Sequence, residues 1–87
     1  MDTTVTKLDH PIPFEGRTLS EITMRRAKVS DTLSARKGGR DNADQEIHLI
    51  ASLAGLPPAA IEDLDMQDYA KLQAVISLFF GSSETTA

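Results

Sequence analysis

The sequence predicts a small α+β fold, mainly α, with an N-terminal β-hairpin packed on a unit of three to four helices. Three observations carry that expectation. The first quarter of the chain holds β-branched runs, two prolines and a Glu15-Gly16 turn pair. Residues 42–54 and 66–80 each carry an apolar arc at helical spacing. Between them, Gly55 and Pro57-Pro58 bar a single continuous helix.

The hairpin comes first. Thr3-Thr4-Val5-Thr6 suits an extended strand, and Thr18-Leu19-Ser20-Glu21-Ile22-Thr23-Met24 sets Ile22 and Met24 on one face. Pro11 and Pro13 lack amide donors, so the first arm is expected to be broken by proline. Ser30-Asp31 is expected to start a short helix running to Lys37 and ended by Gly38-Gly39. Asn42 is expected to cap the next helix, with Gln45 completing a capping box. There Ile47, Ile50, Ala51 and Ala54 share a face that Leu49 and Leu53 widen. One or two turns follow from Pro58, and Asp65 is expected to cap the last helix, with Asp68 at its N3 position. Leu64 and Tyr69 match a hydrophobic staple across that cap. The expected core is Ile47, Ile50, Leu53, Leu64, Tyr69, Leu72, Ile76 and Phe79, with Phe80 on the same stripe. Residues 1–4 read as a flexible arm, 5–81 as one domain and 82–87 as a flexible tail.

Composition narrows the function classes. At 87 residues, with 40% hydrophobic and 25% charged residues, the chain is globular and small. A domain of that size buries only about 60–65% of its unfolded surface, so its stability is thin. There is no cysteine, hence no disulfide or thiolate metal site. The longest apolar run, Leu78-Phe79-Phe80, is too short to cross a membrane, and the first residues lack a signal-peptide pattern. A soluble, cytoplasmic chain is expected. His10 and His48 stand on different elements without further ligands at metal spacing, and no nucleophile or phosphate loop has its required context. Neither a cofactor nor an active site is therefore expected, which leaves an interaction protein.

Two surfaces are candidates. Residues 1–40 carry a net charge of +3 (eight Lys/Arg, five Asp/Glu), and residues 41–87 carry −7 (one Lys, eight acids). Arg25, Arg26, Lys28, Arg36, Lys37 and Arg40 concentrate the positive charge. They form either a solvated stretch or an electrostatic surface for an acidic partner or the acidic half of a second copy. A nucleic-acid-binding regulator is the alternative function for this stretch, although overall acidity and missing stacking aromatics make nucleic acid an unlikely partner. On the last helix, Met66, Ala70, Ala74, Ser77 and Leu78 lie opposite the core stripe, with Lys71 read as the only charge among them. That face is either plain solvent surface or a site for a partner or for self-association.

The order of these segments resembles a known family. Pro11-Ile12, Gly16-Arg17, the run from Leu19 to Arg26 and Ser30-Asp31 look like the front half of the small tail assembly chaperones of contractile-tailed phages and prophages. Leu53-Ala54-Gly55-Leu56-Pro57, Ile61-Glu62-Asp63-Leu64-Asp65, Asp68-Tyr69, Leu72 and Phe79-Phe80 are similar to the back half. Each segment alone is a weak motif; in this order and spacing they are fairly specific. One departure is Ala27-Lys28, where the family commonly has a proline and then Thr or Ser, which loosens the expected strand-to-helix boundary.

The resemblance implies a non-catalytic role in virion assembly. Such chaperones bind the long, helical tape measure protein, keep it soluble, help recruit tail tube protein around it, and leave before the tail is finished. It also implies self-association, residence in the host cytoplasm and absence from the finished virion. Members often have a frameshifted long form, and Leu78-Phe79-Phe80 can be encoded by codons that slip.

Overall fold

A computed structural model describes residues 3–39 and 41–79. The expectations placed on Arg40, on Phe80 and on the tail lie outside the described residues. Within them, strands β1 (Thr3–Phe14) and β2 (Arg17–Arg25) form a two-stranded antiparallel sheet. Helices α1 (Val29–Arg36), α2 (Asn42–Ala54), α3 (Pro58–Glu62) and α4 (Met66–Phe79) follow. The α+β hairpin-and-helices architecture is the one the sequence predicts.

The hairpin turns at Glu15 and Gly16, both with positive φ (50° and 78°). Glycine tolerates that region freely and Glu15 does not, so the tight turn is tied to Gly16. The first arm is not broken by its prolines as expected. It stays extended from Thr3, within the expected arm, to Phe14, and absorbs Pro11 in a register irregularity between Lys7 and Ile12, while Pro13 stays in register with Thr18.

Local chemistry fixes each helix boundary. Asp31 accepts from the Lys28 N–H at 2.7 Å, so α1 starts without a proline at its boundary. The α2 cap is Asp41 rather than Asn42, its carboxylate accepting from the Asp44 N–H at 2.9 Å. Gly55 (φ 69°) ends α2 in the left-handed conformation, and the Leu56 N–H returns to the Ala51 carbonyl at 3.0 Å. Asp65 starts α4: its carboxylate accepts from the Gln67 N–H, and its carbonyl accepts from the Tyr69 N–H.

The two apolar arcs do not simply cover each other. Helix α2 packs over β2 and α4 over β1, so both arcs turn onto the inner face of the hairpin. That face contributes Leu8, Ile12, Ile22 and Met24 to the core, which the helical arcs alone do not reveal. Ile50, Leu53, Leu64, Leu72 and Ile76 are buried as expected, whereas Ile47, Tyr69 and Phe79 are only partly buried. Ala35 joins α1 to this core, and Ile61 joins α3.

Leu72 is fully buried at the junction of α4 and the sheet. Leu72→Ala is expected to cost about 2–5 kcal/mol of unfolding free energy. Chemical denaturation measures it, and a loss below about 0.5 kcal/mol contradicts this packing.

Candidate interaction surfaces

Strand β1 cannot run a regular ladder, because Pro11 has no amide proton. Lys7 pairs with Glu21 and the next pair is Ile12 with Leu19, so residues 8–11 stand opposite Ser20 alone. Their backbone groups need partners from elsewhere. Helix α4 supplies two of them and reaches the adjoining Lys7. Asp68 accepts from the Asp9 N–H and the His10 N–H, 2.9 Å each, one carboxylate oxygen to each amide. One turn on, Lys71 donates from Nζ to the Lys7 carbonyl at 3.0 Å. The same ammonium lies 2.9 Å from the Asp9 carboxylate and 3.4 Å from Asp68.

Asp68 is completely buried. Burial pushes its carboxyl pKa up, but the two backbone amides and the Lys71 ammonium outweigh it and hold the value below the ordinary one. Hydrogen bonding to Asp9, opposed by desolvation, raises the Lys71 pKa. His10 sits on the rim, 3.2 Å from Gln67 Oε1 and 3.9 Å from Asp65, and both contacts raise its pKa. A second tie crosses from α2 to α4, where Glu46 accepts from the Tyr69 hydroxyl at 2.5 Å and from Gln73 at 2.9 Å. Burial first, then this contact, pushes the Tyr69 phenol well above its usual value.

The outward side of α4 is different. Met66, Ala70, Ala74, Ser77 and Leu78 are all exposed, Met66 by 76% and Leu78 by 69%. Lys71 does not belong to this face, because it turns to the hairpin. These five residues therefore present no charge at all.

The basic stretch divides. Arg25 makes a two-pronged ion pair with Asp31, both contacts at 2.8 Å. The Arg25 contacts, against a smaller cost of burial, hold the Asp31 pKa down at about 2. The Arg26 guanidinium stacks 5.6 Å from the centre of the Phe79 ring. Arg25 thus ties β2 to α1, and Arg26 ties that corner to the end of α4. Lys28, Arg36 and Lys37 are exposed at the two ends of α1. Among the described residues, no group of three His, Asp or Glu side chains is placed to hold a metal ion, and no helix is long and apolar enough to cross a membrane.

A family model described as "Phage tail assembly chaperone proteins, E, or 41 or 14" matches residues 5–81. The chain belongs to this family. No curated protein and no solved structure matches it. In this chaperone, the Asp68–Lys71 pair is the feature that sequence reasoning misses. Asp68 occupies a position where an acid normally serves the helix end, so its spacing conceals a contact 58 residues away. The one available signal is Pro11, which announces unpaired backbone on β1.

Replacing Asp68 by Asn leaves a single carbonyl oxygen for two amides and turns an NH2 group toward one of them. Asp68→Asn is expected to lower the thermal midpoint by about 5–15 °C at neutral pH. Because the folded pKa lies below the unfolded one, the Asp68 contribution is complete above about pH 4 and lost as pH falls through the folded value. The difference between the two proteins therefore shrinks in acid. Equal midpoints at neutral pH contradict the assignment.

Proposed function

We propose that this chaperone is non-catalytic, binds the tape measure protein in the host cytoplasm, and helps recruit tail tube subunits before leaving the growing tail. The observation that carries this reading is the charge-free outward face of α4: Met66, Ala70, Ala74, Ser77 and Leu78. A surface helix ordinarily keeps charge on its solvent side. Small residues at 70, 74 and 77 let a partner backbone come close, and Met66 and Leu78 add adaptable apolar area at the two ends. A long helical partner fits such a strip lengthwise. Its own apolar face is covered while bound, which keeps it soluble until tube subunits take over.

The strip sits on the helix whose other side is clamped to β1, so it is a rigid surface and binding costs little ordering. Capture of the tape measure protein by tagged full-length chain, co-expressed in bacteria, tests this reading. Ala74→Arg is expected to retain the circular dichroism spectrum and lose most of the captured protein. Undiminished capture by that variant overturns the reading.

A further inference from the structure

The geometry points to a head-to-tail contact between copies of this chain, in which the α1 ridge of one copy seats in an acidic-rimmed apolar depression of the next. The ridge is Val29 and Leu33, one helical turn apart and exposed by 77% and 56%. Arg36 continues the same face, and Lys28 precedes it. Among the described residues, Arg36 has no ion-pair partner, whereas Lys28 is attracted to Asp31, and Arg25 and Arg26 are occupied at the corner.

The depression measures about 130 Å3 and is lined by Ile47, Ile61, Glu62, Leu64, Met66 and Tyr69. Its volume approaches the ~150 Å3 of a cavity that accepts a benzene-sized group, so one branched aliphatic side chain fits. Glu62 lies on its wall, and Asp63 and Asp65 flank Leu64 on the exposed surface. Glu62 and Asp63 have no basic partner among the described residues. Asp65 is held by the Gln67 N–H and lies beside His10, so Glu62 and Asp63 carry the free acidic charge here. Ridge and depression are matched in apolarity and charge.

They cannot meet within one molecule, where the ridge stays exposed and the depression open. The second copy is the occupant, because every copy carries both halves of the match. A contact of two unlike surfaces repeats rather than closing as a symmetric pair. An eight-residue helix buries little area, so the contact is weak and sensitive to salt.

This inference does not rest on tape measure binding, and its test separates the two. Sedimentation velocity of the full chain at about 200 µM in low salt is expected to show species larger than the monomer. Raising the salt to about 500 mM is expected to weaken association about tenfold. Leu33→Glu removes the ridge and Glu62→Lys spoils the depression without touching the α4 strip, and both side chains are exposed, so the helical spectrum is expected to survive. Val29→Glu and Glu62→Arg replace them if either variant loses that spectrum. Each variant alone is expected to sediment as a monomer. An equimolar mixture is expected to form dimers and nothing larger, because one good ridge and one good depression remain. Ala74→Arg is expected to associate as wild type does. A monomeric wild type, a monomeric mixture, or loss of association in Ala74→Arg overturns the contact.

Discussion

A proline in a strand creates the problem that the rest of this small fold answers. Pro11 and the register irregularity around it leave residues 8–11 of β1 opposite Ser20 alone. Asp68 on α4 takes two amides of that stretch, and Lys71 bonds the Lys7 carbonyl at its edge. A two-stranded hairpin is marginal by itself. Here it is joined to its covering helix by hydrogen bonds as well as by apolar contact, and the helix orientation is set as a result. Fixing α4 from one side also decides which side is left outward.

The contributions divide along that helix. The side toward β1 carries the clamp together with Leu72 and Ile76, and the burial of those two side chains supplies about 1.5–3 kcal/mol each. The buried carboxylate is stabilising only because every oxygen has a partner; an unpartnered charge at that depth would oppose folding. The outer side is left without charge because the one lysine in reach is drawn inward. The same residue choice therefore serves the fold and the surface. The strongly asymmetric charge has a similar division. Part of the basic stretch holds the corner between β2 and α1, and Lys28, Arg36 and Lys37 stay exposed at the ends of α1.

Much of this architecture is legible in the sequence, for definite physical reasons. The arcs of α2 and α4, the Gly55 stop, the Asp65 cap and the Glu15-Gly16 turn are all local, set by residues within a few positions of one another. Asp41 displaces Asn42 as a cap because both side chains suit the role and sit side by side. The inner face of the hairpin, with Leu8, Ile12, Ile22 and Met24, is harder to read because proline obscures the alternation of β1. Asp68 is not legible at all from its neighbours. Its partners are brought to it by tertiary packing, and a carboxylate near a helix start already has a sufficient local explanation. Of the candidate surfaces, the α4 face is visible as a run of uncharged positions, but the inward turn of Lys71 is not. Likewise the pairing of Arg25 with Asp31 cannot be told from a solvated charge until the β2–α1 corner is seen.

Amide hydrogen exchange at Asp9 and His10 tests most directly whether α4 holds the irregular stretch of β1. Both amides are expected to exchange as slowly as the buried core of α2 in the native chain. In Asp68→Asn they are expected to exchange far faster while the α2 core stays protected. Fast exchange of both amides in the native chain, at the rate of the exposed turn around Gly16, would contradict the account.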